Sequence, residues 1–120
     1  ESGKALVRTL DTQSLSIKGA FWLLLPEERI WRLFLVSPQV GAFGPKAMYK
    51  KVRSAMTRLP ENIPYIGTKD ISVADVKAPL FQLLRTAIAT GDGIGGIRFS
   101  RNVINGLMIE DAYIYRLSKN

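Results

Sequence analysis

Residues 19–36 read GAFWLLLPEERIWRLFLV, two apolar runs of seven residues around the turn Pro26-Glu27-Glu28-Arg29. Each run has the length and the aromatic and aliphatic content of a strand and is bounded by turn formers, which predicts a β-hairpin. The first run, Gly19 to Leu25, is apolar at every position. A strand with one wet face alternates, so this one is expected to be covered on both faces. Trp22, Trp31, Phe21 and Phe34 are accordingly expected in the core.

Working outward, residues 4–11 predict a short helix with Ala5, Leu6 and Leu10 on one side, and the first strand begins near Ser14. Ser37-Pro38 ends the second strand. A glycine-containing loop, 41–45, then opens a helix over 45–58, with proline at the first helical position, where its missing N–H costs nothing. Met48, Val52, Ala55, Met56 and Leu59 fall at helical spacing and form its buried stripe, and Pro60 stops it. Residues 61–69 read as a loop with a short extended piece at Tyr65-Ile66, and Ile71-Ser72-Val73 as a short strand.

A second main helix is expected over 76–89. Asp75 would cap it, Pro79 fits its first turn, and Leu80, Leu83, Leu84, Ala87 and Ile88 would form its core face before Gly91 closes it. Residues 97–104 and 107–117 read as a second hairpin around Asn105-Gly106, where both turn positions tolerate positive φ. Alternation puts Tyr113, Tyr115 and Leu117 on one face of the last strand, and Glu110, Ala112, Ile114 and Arg116 on the other. The expected order is α-ββ-α-(β)-α-ββ. The fold class is α+β: an antiparallel sheet built from two β-hairpins with two main helices packed on it, without a βαβ unit.

A chain of 120 residues, 47% apolar, suits a single compact domain over 1–120. At that size folding buries roughly two-thirds of the unfolded surface, so no disulfide or metal is required. No apolar run approaches the roughly 18 residues of a membrane span. The N-terminal Glu1-Ser2-Gly3-Lys4 lacks a signal peptide's charged start and apolar segment, and there is no cysteine. A cytoplasmic, bacterial protein is the expectation.

Charge is distributed unevenly. Residues 29–60 carry seven basic side chains and no carboxylate, while the remaining ten basic residues are matched by ten acidic ones, so this stretch holds the whole net charge of +7. On the helix 45–58, Lys46, Lys50 and Arg53 recur at i, i+4, i+7 beside Tyr49, with Lys51 and Arg58 flanking them. Such a face suits an anionic partner, either a nucleic acid backbone or an acidic protein surface. The competing reading is a basic face that is merely solvated. The loop 41–46 also has strand-turn-helix polarity, and free N–H groups at a helix start favour an anion. Its expected ligands are Ser37, Gly44, Lys46 and Lys50, against the alternative of a plain connection. No helix-turn-helix, RRM or KH signature accompanies these cations, so base-specific reading is not expected.

The absences exclude much chemistry. Without histidine there is no Ser-His-Asp triad and no imidazole acid or base. Without cysteine there is no thiolate, and without either a structural zinc site is excluded. Asp70, Asp75, Glu110 and Asp111 lack the acid, then Glu-x-Lys spacing of metal nucleases, so neither a metal nor a cofactor is expected. The run Gly91-Asp92-Gly93-Ile94-Gly95-Gly96 follows a helix and opens a strand, the reverse of a phosphate loop. It reads as a helix cap plus a flexible connection. Two alternatives to a binding module stay open. One is a histidine-free ribonuclease working by charge through Arg98, Arg101, Tyr113 and Arg116. The other is the structural subunit of a homo-oligomer that buries its apolar strands between copies.

Three segments carry a resemblance: Trp31-Arg32-Leu33 with Ser37-Pro38, Gly44-Pro45 with Tyr49, and 102–106 with Ile109-Glu110-Asp111-Ala112-Tyr113-Ile114-Tyr115-Arg116. In these the chain resembles small bacterial hypothetical proteins of no established activity. The resemblance implies a bacterial, cytosolic setting and assigns no site.

Overall fold

The hairpin forms along its whole length. Strand β1 (Gly19–Leu25) pairs antiparallel with β2 (Ile30–Val36), Gly19 facing Val36 and Leu25 facing Ile30. The computed structural model describes residues 2–88 and 90–118. Besides β1 and β2 it contains helices α1 (Ser2–Thr12), α2 (Pro38–Phe43) and α3 (Pro45–Thr57), a 3-10 turn (Thr68–Asp70), strand β3 (Ile71–Ala74), helix α4 (Pro79–Ala87), and strands β4 (Ile97–Ile104) and β5 (Leu107–Leu117).

The five strands lie in the order β3-β2-β1-β5-β4. The strand that is apolar at every position is therefore the central one, as its composition requires. On one face, Leu6, Val7 and Leu10 of α1 and Met48, Val52, Ala55 and Met56 of α3 pack with Ala20, Leu33, Leu35 and Tyr115. On the other, Phe81 and Leu84 of α4 pack with Phe21, Val36, Ala112 and Ile114. Helices thus cover both faces, and the two cores share only the sheet. Each large side chain buried in them contributes roughly 1.5–3 kcal/mol.

The α+β class holds, but the sheet is mixed. β3 pairs parallel to β2, with Leu33 facing Ile71 and Val36 facing Ala74. Between them the chain passes through α2 and α3, and a crossover of that kind returns a strand in the same direction. One βαβ unit is therefore present. Its first helix, α2, occupies residues expected as loop. Ser37 caps it and Pro38 fills its first position, a start pattern hidden behind the Gly41 and Gly44 that suggested a turn.

Three further expectations are corrected. Helix α4 begins at Pro79, not near Val76; the Asp75 backbone carbonyl accepts the Ala78 N–H in a turn (3.0 Å), and the Asp75 carboxylate lies against Gly41, where a Cβ would meet Asp75 Oδ1 at 2.8 Å. The helix ends at Ala87 with Ile88 extended; Ala89, its expected last residue, lies outside the described residues. In β5, Ala20 faces Arg116 while Phe21 faces Ile114, so Tyr115 is an extra residue, a bulge. The bulge turns Arg116 toward α1 and Leu117 into the α4 core, reversing the faces that strict alternation gives. Trp31 is not core: near the start of β2 it is 38% exposed.

The Asn105-Gly106 turn forms with φ of 48° and 85°, the two positive values of a type I′ hairpin. β5 pairs with β1 only over residues 112–117, so the outer part of the β4–β5 hairpin projects beyond the sheet as a two-stranded arm. Among the described residues, no helix is long and apolar enough to cross a membrane.

Candidate anion-binding site

Helix α3 starts where Gly44 adopts φ 88°, ψ 157°, a conformation L side chains rarely take, and Pro45 fixes the first helical φ. From there the sequence period sorts the side chains. At about 100° per residue, Lys46, Tyr49, Lys50 and Arg53 fall within an arc of about 100°, flanking the buried stripe, with Tyr49 at its edge beside Met56. Met48, Val52, Ala55 and Met56 anchor that stripe in the core.

Tyr49 fixes the helix relative to the sheet. Its hydroxyl accepts the Val73 N–H (3.3 Å) and donates to the Ile71 carbonyl (3.2 Å). Both partners belong to β3, the strand whose parallel pairing was not foreseen. The phenol is therefore committed to the scaffold and is not a free ligand.

The 3-10 turn before β3 lies against the same helix. Pro45, Lys46, Tyr49, Arg53, Thr68 and Lys69 line an open groove of about 550 Å³. Lys46, Arg53 and Lys69 bring positive charge to it, and Lys50 stands exposed on the same arc of α3. Among the described residues, none of these four makes an ion pair; the two ion pairs seen are Arg98–Asp111 and Arg116–Asp11. Thr68 and Lys69 carry no periodic signal and lie some fifteen residues from Arg53 in sequence. Only the β2–β3 pairing brings them to the helix, so sequence reading missed them.

The remaining members of the expected site are placed elsewhere. Ser37 is fully buried; its hydroxyl donates to the Leu15 carbonyl (2.6 Å) and accepts the Gln39 N–H (3.1 Å). The Gly44 N–H is taken by the Val40 carbonyl at 2.9 Å as α2 ends. The anion pocket expected at 41–46 is thus filled by α2 and its caps. Lys51 points to the α2 side, its Nζ 3.3 Å from Gln39 Oε1, away from the groove.

The four residues of the ribonuclease alternative do not converge. Arg116 is 5% exposed. It holds Asp11 with two bonds of 2.9 Å and also reaches the carbonyls of Ile17 (3.0 Å) and Gly93 (3.3 Å). It fastens the end of α1, the approach to β1 and the glycine-rich segment to one another. That segment is not a loose connection: the Gly95 N–H bonds the Tyr115 carbonyl (2.8 Å), and Ser118 bonds Asp92 (2.5 Å). Gly96 lies against Tyr113, whose hydroxyl would be 2.2 Å from a Cβ there. Arg98 forms a two-pronged pair with Asp111, which also accepts from Ser100. Arg98 holds the Asp111 carboxyl at a pKa of about 2, below its ordinary 3.8, and the guanidinium is raised in return. Arg101, exposed with φ 50°, stands six strand positions from Arg116, about 20 Å at the rise of a β-strand.

Comparison with protein-family models, with curated proteins and with solved structures returns no match.

Proposed function

We propose that this domain is a binding module that docks a nucleic acid backbone on the groove between α3 and the 3-10 turn. One observation carries the reading. Lys46, Lys50, Arg53 and Lys69 surround or flank a groove with no carboxylate paired to any of them among the described residues. Cations held on a rigid helix without internal partners lose nothing when phosphates replace their counterions, and the release of those counterions drives association. The test is fluorescence anisotropy of a labelled oligonucleotide at several salt concentrations. Affinity should fall linearly in log salt, and Lys50→Glu with Arg53→Glu should abolish it without changing the melting temperature. Binding indifferent to salt would refute the reading, and preference for an acidic polypeptide would move the partner to a protein surface.

A second reading, self-association, has its own observation. The projecting arm exposes Val103 (65%), Met108 (49%) and Leu107 (41%), with Val103 and Met108 directly paired across the strands. An apolar tip on a two-stranded arm suits burial against another copy. Sedimentation over a concentration series tests it. A mass that stays monomeric throughout excludes it.

A further inference from the structure

We infer that the wedge between the β1–β2 turn and β5 is a binding site for a small zwitterion, an aliphatic α-amino acid, with Arg29 taking its carboxylate and Glu110 its ammonium group. This site shares no lining residue with the α3 groove and stands apart from the backbone-binding reading.

The wedge follows from the register of the sheet. β1 and β5 pair from Gly19–Leu117 to Leu23–Ala112 and no further. β1 runs on through Leu24 and Leu25 into the turn, while β5 stays with β4 in the projecting arm. Where the two strands part, Leu24, Pro26, Arg29 and Glu110 line a cavity of about 390 Å³. Small-molecule sites run from roughly 300 to 1,000 Å³ and combine apolar walls with a few polar groups, so the wedge suits a ligand at the small end of that range.

The two charges decide the kind of ligand. Arg29 comes from the turn and Glu110 from β5, so they reach the cavity from separate walls. Among the described residues neither makes an ion pair, with the other or with any further group. The neighbouring charges are placed otherwise. Asp111 is held by Arg98 and Ser100, and Glu27 and Glu28 are exposed on the turn without lining the cavity. A polyanion that reached Arg29 would meet the Glu110 carboxylate, and a bare cation at Glu110 would meet the guanidinium. A molecule carrying both signs satisfies both groups through charge-assisted hydrogen bonds. Leu24 and Pro26 then offer apolar surface to an aliphatic side chain.

The backbone gives a second, independent observation. Arg29 closes the turn with its N–H on the Leu25 carbonyl (2.7 Å), and its φ is 57°. Glycine takes that left-handed conformation without strain, whereas a residue with a Cβ does not. Arginine sits there strained and gains no internal ion pair in return. Strain held at a residue that the scaffold does not use is the pattern of a functional position.

The experiment is an amide NMR titration of the whole chain with leucine, leucinamide and N-acetylleucine. Leucine should shift the Leu24, Arg29 and Glu110 resonances saturably, with a Kd of about 1–10 mM. Leucinamide lacks the carboxylate and N-acetylleucine the ammonium group, and each should bind about tenfold more weakly. Arg29→Gly should abolish the preference for leucine over leucinamide while the melting temperature holds or rises. Glu110→Gln should abolish the preference over N-acetylleucine. No saturable shift at about 50 mM leucine, or equal binding of the three compounds, would overturn the inference. A lower melting temperature in Arg29→Gly would make the arginine part of the scaffold and overturn its assignment as the carboxylate ligand.

Discussion

The helix α3 and the β4–β5 hairpin are both rich in arginine and lysine, yet they use them in opposite ways. In the hairpin, Arg116 is buried on Asp11 and Arg98 is locked to Asp111. Along α3 and the adjoining turn, Lys46, Lys50, Arg53 and Lys69 meet no carboxylate among the described residues. Positive charge in the hairpin holds the chain together, while along α3 and the turn it has no internal carboxylate, which is the basis of the proposed docking. Counting basic residues cannot separate the two cases. Pairing can, and pairing depends on the fold.

Substitutions should separate the regions in the same sense. The largest effect is expected at Arg116. Arg116→Ala leaves the carbonyls of Ile17 and Gly93 without their donor and releases Asp11, itself open to solvent, from its pair, at a cost of about 2 kcal/mol. Thermal unfolding should show a fall of roughly 10 °C. A change of only a degree or two would mean that Arg116 contributes little to the scaffold.

Tyr49→Phe comes next. It removes both bonds to β3 and leaves the half-buried Val73 N–H without its partner, at a cost of about 1–2 kcal/mol. Urea unfolding measures it, and the binding groove should lose affinity with it because α3 is no longer pinned beside the turn. If stability falls while affinity is untouched, the phenol does not position the site.

On the α3 side the pattern inverts. Lys46→Gln, Arg53→Gln and Lys69→Gln should each change stability by less than about 0.5 kcal/mol. Each should weaken nucleic acid binding and reduce the salt slope by about one. The Arg98–Asp111 pair is exposed and should matter least. Because Arg98 depresses the Asp111 pKa, the stabilising effect of the pair is present above the unfolded value of 3.8 and is lost as pH falls through about 2. Following the Asp111 carboxyl by NMR should give a midpoint of about 2, returning toward 3.8 in Arg98→Ala. An unmoved midpoint would show that the arginine is not the cause.

How much of this was legible in the sequence follows from the range of each interaction. The two hairpins, the α3 stripe and the Asn105-Gly106 turn are local patterns, and each formed close to where its period or turn chemistry placed it, although β1 starts at Gly19 and not near Ser14, and Leu59 lies beyond the end of α3. The parallel β2–β3 pairing was not visible, because four residues at 71–74 carry no mark of which strand they join. That one pairing also hid the site: it recruits Lys69 and Thr68 to the groove and commits Tyr49 to the scaffold. The bulge at Tyr115 was similarly silent, since one extra residue leaves no trace in composition but moves Arg116 from one face to the other. Ser37 misled for a different reason. A serine before proline at a strand end suits an anion ligand and a helix cap equally, and here the cap won.

The most direct test is the salt dependence of binding to a single-stranded oligonucleotide, measured for the parent protein and for the combined Lys46→Gln, Arg53→Gln, Lys69→Gln variant. The expected result is a slope of log Kd against log salt that is shallower by roughly two to three in the variant, with the melting temperature preserved. An identical slope in the two proteins would contradict the assignment of phosphate contacts to the α3 groove.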